Sequence, residues 1–255
     1  MTAHQESGIL IGTVFKAWVK NFINLFYPLS CLICKAALSP SSDKPLCEIC
    51  WNKIEFSLPP FCRVCGKHLP ARNQNYAFIC RDCQARVYFF KKARSVCVYD
   101  GIIKECIHLF KYKSKLSLVK PLSKLMIDFA HKFLDMRNVE LIIPVPLHSA
   151  KQRQRQFNQA KLLAGGLARA FSKELQANLL IKIKSGPAQV NLLRTERLKS
   201  VRGAFKVKDA RRVENKNILL VDDVLTTGAT ANECARTLLE AGANRIDAFV
   251  LARGR

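Results

Sequence analysis

Short, uninterrupted apolar runs alternate with amphipathic segments along the second half of the chain. Residues 141–146 and 218–221 are apolar without alternation, a pattern typical of strands buried on both faces of a parallel sheet. Residues 246–251 supply the last strand of that sheet. Residues 157–171 and 231–241 place apolar side chains at helical spacing, and Gly242 follows the second segment as a helix stop. Strands that alternate with helices predict an α/β domain with a parallel sheet, which we place at residues 91–255.

The first 30 residues contain an apolar stretch that is too interrupted to span a membrane. Residues 9–27 are mostly apolar, but Lys16, Lys20 and Asn21 break the run. We therefore predict an amphipathic helix within residues 1–30 and no transmembrane segment. Such a helix either packs on the protein's own core or lies on a membrane surface with its lysines at the headgroups.

Eight of the 11 cysteines form four Cys-x-x-Cys pairs within residues 31–90. Neighbouring pairs are separated by 12 and 14 residues, so they give two sets of four, and each set suits one tetrahedral, structural Zn²⁺. We prefer this sequential grouping to a cross-braced one, which the spacing also permits. The sequence thus predicts a double zinc ribbon with the ligands Cys31, Cys34, Cys47, Cys50, Cys62, Cys65, Cys80 and Cys83.

The same cysteines also indicate the redox state of the cellular compartment in which the protein acts. Redox-active dithiols would need this regular spacing by coincidence, and no signal-peptide pattern precedes the pairs. We therefore expect the reducing cytoplasm, with or without association to the membrane surface.

The chain is strongly basic. Its 255 residues include 42 Lys and Arg against 19 Asp and Glu, which gives a formal charge of +23. This excess is larger than solubility requires and predicts a polyanionic partner, either nucleic acid or a membrane surface. A basic surface without a specific partner is the alternative. We favour single-stranded nucleic acid because of where the charges lie.

Residues 218–230 carry the most specific chemistry in the sequence. A buried strand is predicted to lead into two carboxylates and then into a Thr- and Gly-rich loop ahead of a helix. The N–H groups at a helix N-terminus favour a phosphate, and paired carboxylates at a strand's carboxyl end suit a ribose diol and Mg²⁺. A capped strand end with a Thr-rich turn is the alternative. The predicted phosphoribosyl site comprises Asp222, Asp223, Leu225, Thr226, Thr227, Gly228, Ala229 and Thr230.

Basic residues occur in three further segments. Lys111 follows a predicted helix at residues 103–110, where the alternative to a phosphate contact is a solvated helix end. Three basic residues precede the helix at 157–171, where cations oppose the helix dipole unless an anion binds. Others lie in a basic loop or hairpin at 185–217, for which a solvated connector is the alternative. The predicted phosphate or nucleic-acid contacts are Lys111, Lys151, Arg153, Arg155, Arg194, Arg197, Lys199 and Arg202.

Several short motifs occur along the chain in a fixed order. They are the four Cys-x-x-Cys pairs, Tyr99-Asp-Gly101, Phe110-Lys-Tyr112, Pro144-Val-Pro-Leu147, Arg155-Gln-Phe-Asn-Gln159, Glu196-Arg197, Ala204-Phe205 and residues 221–230. In these motifs the chain resembles the ComF family of competence-associated proteins over nearly its whole length. Two positions depart from the family pattern, because Gln156 and Ser200 stand where the family usually has Gly and Asn.

The resemblance implies a double zinc ribbon followed by a type I phosphoribosyltransferase domain with a Rossmann-like parallel sheet. In such a domain Asp222 and Asp223 would hold the ribose hydroxyls of phosphoribosyl pyrophosphate (PRPP), and residues 226–230 would hold its 5′-phosphate. The loop of Pro146, Leu147 and His148 would hold the pyrophosphate, with Mg²⁺ bound alongside PRPP.

The resemblance also implies a role in natural transformation. The family is linked to incoming single-stranded DNA on the cytoplasmic side of the membrane. Competence machinery, such as a helicase or an inner-membrane channel, is the further partner that this role implies.

Two functions are compatible with these residues. In the first, a nucleic-acid-handling protein senses PRPP or a terminal 5′-phosphoribose while its basic segments hold a DNA strand. In the second, an active phosphoribosyltransferase displaces pyrophosphate from PRPP in favour of a nucleobase, nucleotide or DNA-end acceptor. We favour the first, because no segment indicates an acceptor pocket and no catalytic residue can be assigned.

Overall fold

A computed structural model describes residues 29–39, 42, 44–69, 78–184 and 201–254. The predicted amphipathic helix at 9–27 and the predicted contacts Arg194, Arg197 and Lys199 lie outside these described residues. The chain forms two compact units, Met1–Lys53 and Ile54–Arg255. Each of the units contains one of the two cysteine sets.

The first unit contains a zinc-knuckle turn and one short helix. Ser30 pairs with Ala37 in an antiparallel bridge, and Lys35 closes the turn between them with a positive φ of 65°. Helix α1 (Glu48–Asn52) begins after Cys47, whose sulfur accepts the backbone N–H of Cys50. The turn and the helix N-terminus bring the first four cysteines together.

A five-stranded parallel sheet forms the centre of the second unit. Its strands are β1 (Lys92–Val98), β2 (Leu141–Pro144), β3 (Glu174–Leu175), β6 (Asn217–Leu225) and β7 (Arg245–Arg253), in the order β1-β7-β6-β2-β3. Leu220 of the central strand β6 lies opposite Ile143 on one side and Ala248 on the other. The predicted parallel α/β sheet is confirmed.

The described residues of the second unit form six helices. They are α2 (Arg81–Gln84), α3 (Gly101–Tyr112), α4 (Val119–Phe133), α5 (Ser149–Arg155), α6 (Gln159–Ala170) and α7 (Ala229–Glu240), with 3₁₀ turns at Leu116–Leu118 and Ala210–Arg212. Helix α6 packs on α4, β2 and β6, and α7 packs on β6 and β7. The apolar stripe predicted for the first of the long helices, which includes Ile103 and Phe110, is fully buried.

The structure revises two expectations about the boundaries of elements. Strand β6 runs to Leu225, so Asp222 and Asp223 lie within its last residues rather than after it. The cations predicted at or before the start of the helix at 157–171 do precede it, but they lie in a separate helix, α5, which ends at Arg155 with Gln156 as its C-cap. Arg153 and Arg155 therefore occupy the last turn of α5, where the helix dipole favours positive charge.

A small antiparallel strand pair stands beside the sheet. Strands β4 (Leu180–Lys182) and β5 (Phe205–Val207) form it, so β5 lies within the basic segment predicted at 185–217 and β4 precedes that segment. Among the described residues, no helix has the length and apolar character needed to cross a membrane.

Candidate functional site

The structure groups the eight cysteines in sequential order. The first cluster contains residues 31, 34, 47 and 50, the second contains residues 62, 65, 80 and 83, and in each the sulfur atoms lie within 4.8 Å of one another. Cys34 and Cys47 sulfurs are 3.6 Å apart, and those of Cys65 and Cys80 are 3.7 Å apart. Around a tetrahedral Zn²⁺, ligand sulfurs lie about 3.8 Å apart, so both clusters fit the metal.

Within the second cluster, hydrogen bonds favour the thiolate form of Cys62, which is the form that binds zinc. A hydrogen bond from the Cys65 thiol lowers the pKa of Cys62 to about 4, backbone N–H groups act in the same direction, and burial opposes them. Hydrogen bonding to Cys62 and burial raise the pKa of Cys65, and burial raises that of Cys83. The N–H of Cys80 donates to the Cys62 sulfur at 3.3 Å. Donors that stabilise thiolate are typical of metal-binding knuckles, because the metal ligand is the thiolate. The two clusters are consistent with two structural zinc sites.

The second cluster is built directly onto the sheet. Gly66 has a φ of +70° at the knuckle turn, and a Cβ there would lie only 2.5 Å from the carbonyl oxygen of Ala93 in β1. The N–H of Ala93 in turn donates to the carbonyl of Val64 at 2.6 Å. Only glycine therefore fits between the knuckle and the strand.

The segment that follows the second cluster supports the loop after β6. Tyr88 packs against Phe90 with ring centroids 4.9 Å apart, and a Cβ at Gly228 would lie 3.4 Å from the Tyr88 ring. The end of β7 makes a second link between the second cluster and this loop: Arg253 donates to the carbonyl of Cys65 at 2.8 Å, and Gly254 donates to the carbonyl of Leu225 at 3.0 Å. The second ribbon and the loop at 226–228 are therefore held as one structure.

The loop at 226–228 has the form expected of an anion site. Gly228, with a φ of 78°, precedes helix α7, and the N–H of Ala229 donates to the Thr227 hydroxyl at 3.3 Å. Within the part of the chain that the structure describes, the backbone N–H groups of residues 226–228 donate to no protein acceptor. Asp222 and residues 224–231 line the pocket.

A lysine closes onto the paired carboxylates beside this loop. The Nζ atom of Lys111, at the end of α3, lies 2.7 Å from Oδ1 of Asp223, and both side chains are largely buried. Burial and the neighbouring charge of Asp223 raise the pKa of Asp222 to about 7, although Lys111 opposes the shift. The alternative of a solvated helix end at Lys111 is therefore wrong, because this cation lies in the site.

Two further lysines add positive charge next to the carboxylates. Burial, followed by Arg155 and Lys111, lowers the pKa of Lys151, and burial followed by Lys151 lowers that of Lys182. Burial is the larger cause of both shifts, and the smaller Coulombic part links Lys151 to Arg155, Lys111 and Lys182. The group of Lys111, Lys151, Arg155 and Lys182, which we call the cation cluster, would be stabilised by a bound anion.

The other predicted ligand contacts lie beside or outside the cation cluster. The loop at Pro146, Leu147 and His148 lies beside the cation cluster, since His148 forms a parallel bridge with Lys182. Arg153 is exposed on α5, and Arg202 is exposed near helix α7. Sequence reasoning missed Lys182, because a lysine in a short apolar strand has no signature of its own.

Comparison with known proteins agrees with this architecture. The family model described as a double zinc ribbon domain matches residues 22–84, and the one described as a phosphoribosyl transferase domain matches residues 158–255. The chain is 31% identical to competence protein ComFC of Bacillus subtilis over 246 residues, which cover 89% of this chain and 96% of the relative. The chain belongs to the ComF family.

Other similarities are more distant. DNA utilization protein YhgH of Salmonella typhimurium is 25% identical over 90% of this chain and 99% of its own. A solved glutamine PRPP amidotransferase from B. subtilis, complexed with ADP and GMP, is 20% identical over 57% of this chain and 30% of its own, with a TM-score of 0.40.

The structure shows why glycine suits one of the two positions at which this chain departs from the ComF pattern. Gln156, which stands where the ComF family usually has Gly, ends helix α5 in the left-handed region with a φ of 65°. Glycine adopts this conformation without a steric penalty, whereas other residues cost about 1–2 kcal/mol. Ser200, at the other departure, lies outside the described residues.

Proposed function

We propose that this ComF-family protein binds PRPP, or a terminal 5′-phosphoribosyl group, and single-stranded DNA during natural transformation. The observation that carries the phosphoribosyl part is the contact between Lys111 and Asp223 at 2.7 Å, beside a loop of unpaired N–H groups. Carboxylates for hydroxyl groups and cations for phosphates meet there at one sheet edge, where open α/β folds bind their ligands.

Each part of the site has a proposed role. Asp222 and Asp223 accept the ribose hydroxyls, and the loop at 226–230 holds the 5′-phosphate. The loop at 146–148 and the cation cluster hold the pyrophosphate. Asp222 and Asp223 are also the residues that would hold Mg²⁺, which supplies neutralisation of the phosphate charge.

The proposed DNA partner rests on charge and on relatives. The net charge of +23 favours a polyanionic partner, and relatives carry the names competence protein and DNA utilization protein. We place the protein in the cytoplasm, because eight zinc-binding thiols need a reducing environment. Helicase or channel components of the competence machinery are further proposed partners.

Single-stranded DNA binding should show a steep dependence on salt and little dependence on sequence. Each lysine or arginine that contacts a phosphate contributes about 0.7 to the slope of log affinity against log salt. Reversing Arg153, Arg155 and Arg197 to Glu should weaken binding to all sequences alike and flatten the slope. Filter binding over a salt series measures both quantities.

Arg137→Glu is the matched control for these charge reversals. Arg137 is 96% exposed and precedes β2, at the sheet edge opposite the site. It carries the same charge change as each single reversal at those positions and should leave the slope nearly unchanged. Affinity that stayed flat between low and high salt would exclude a mode dominated by phosphate contacts.

An active phosphoribosyltransferase is the second candidate, and the cation cluster favours it. In this reaction the bond from ribosyl C1 to pyrophosphate breaks while C1 bonds to an acceptor that loses a proton, and cations stabilise the departing pyrophosphate. For the binding function we expect no more pyrophosphate from PRPP, Mg²⁺ and single-stranded DNA with the protein than without it. Release in proportion to the protein would establish the enzyme instead.

A further inference from the structure

An exposed aromatic ring stands at the border of the phosphoribosyl site. Tyr112, the last residue of α3, is 61% exposed, and the guanidinium of Arg155 lies over its ring at 5.0 Å from the centroid. The ring of His108 meets it edge-on at 5.5 Å. Among the described residues Arg155 has no carboxylate partner, and it donates to Gln159 at 3.3 Å. The planar guanidinium of Arg155 and the exposed ring of Tyr112 are thus both available to contact a ligand.

A buried contact holds this pair in place. Phe110 stacks on Phe157 with ring centroids 5.6 Å apart, and Phe110 is fully buried. Phe110 lies two residues before Tyr112, and Phe157 lies two residues after Arg155. The stacked pair therefore fixes the end of α3 to the end of α5, so the exposed groups are preorganised without a ligand.

The pair borders the phosphoribosyl site. Lys111, which precedes Tyr112, reaches Asp223 at 2.7 Å. Burial raises the pKa of Tyr99, and Lys111, Asp223 and Tyr112 all act on that phenol. These groups are therefore neighbours, and a ligand on the Tyr112 ring lies next to the carboxylates.

The surroundings of the pair are suited to a nucleic acid strand. Residues 141–173 contain no Asp or Glu, and Lys113, Lys115 and Arg153 are exposed around the pair. Exposed aromatic and guanidinium planes among cations bind single strands by base stacking and phosphate contact. An acidic peptide would use the cations but leave the open ring unused.

We propose that Tyr112 and Arg155 form a stacking subsite for one base of single-stranded DNA, beside the phosphoribosyl site. The subsite rests on the proposed function and deepens it, since it places DNA and the phosphoribosyl ligand in one continuous site. Tyr112 supplies the ring, Arg155 supplies the planar cation, and the exposed lysines and Arg153 bind the flanking phosphates.

The test compares an oligo(dT) of about 16 nucleotides with an abasic strand of equal length and charge, bound to the zinc-loaded full chain. Fluorescence anisotropy should show about tenfold tighter binding of oligo(dT). Tyr112→Ala should remove this preference and leave abasic binding and the salt slope unchanged. Tyr112→Phe should retain the preference, and Arg155→Lys, which keeps the charge but loses the plane, should weaken it.

Leu116→Ala is the matched control, because Leu116 is an exposed apolar residue, 53% accessible, without a π face. It should keep the preference for oligo(dT). Equal binding of both strands by the native protein, or an intact preference in Tyr112→Ala, would overturn the subsite while leaving DNA binding itself established. Failure of both strands to bind would instead refute the proposed function. Displacement of oligo(dT) by polyglutamate at equal charge would also count against the subsite.

Discussion

Replacing Asp222 and Asp223 together by Asn is expected to lower the affinity for PRPP by at least about 100-fold. Charged acceptors make hydrogen bonds worth about 1.5–3 kcal/mol, and amides make weaker ones. The double variant also removes the negative charge that favours Mg²⁺ beside the ligand. Isothermal calorimetry with PRPP and Mg²⁺ measures the change.

Folding must be checked in this variant, because Asp223 pairs with Lys111. Removing the carboxylate leaves a largely buried ammonium group without its partner, which lowers stability. Asp222→Asn alone retains that ion pair, so it tests the site without this cost. Zinc content and thermal melting then report on the fold.

Asp247→Asn is the matched control. Asp247 is also a partly buried carboxylate, paired with Arg245 at 3.0 Å, but it lies at the start of β7, at the opposite edge of the sheet. Its loss should leave PRPP binding unchanged. If the folded double variant bound PRPP as tightly as the native protein, the assignment of residues 222–230 would be wrong.

We expect loss of the second zinc site to weaken PRPP binding and loss of the first zinc site to leave it unchanged. The native protein should hold about two Zn²⁺ per chain, and Cys34→Ser and Cys83→Ser should each leave about one. Only Cys83→Ser should weaken PRPP binding, by about tenfold or more. Tyr88 and Arg253 link the second ribbon to the loop at 226–228, and disorder there must be reversed when the ligand binds.

Tyr88→Ala separates zinc loss from loss of loop support. This variant keeps all eight cysteines, so its zinc content should remain at the native value while PRPP binding weakens. Tyr88→Phe retains the ring against Gly228 and should bind PRPP as the native protein does. Metal analysis and calorimetry on the same samples give both readings. Equal PRPP affinity in Cys34→Ser and Cys83→Ser would show that the second ribbon does not support the site.

The sequence by itself predicted those parts of the protein whose physical cause is local. Cys-x-x-Cys pairs place two sulfurs for one metal within a single turn, so two clusters of four followed from the spacing, while their sequential grouping was settled by the structure. Unbroken apolar runs predicted the buried strands, because a parallel sheet covered on both faces needs no polar side. The conformation of the loop at 226–228 was also predictable, since a strand, a Gly turn and a helix N-terminus are consecutive in the chain.

Other features were decided by the tertiary structure. Lys111 and Asp223 are 112 residues apart, and their ion pair exists because α3 ends over the carboxyl edge of β6. The division of the cationic segment into α5 and α6 likewise depends on the left-handed Gln156, which the periodicity does not reveal. Lys182 and Tyr88 join the site only through packing between elements distant in sequence. Such contacts depend on the relative positions of whole helices and strands, which a local pattern of polar and apolar residues does not encode.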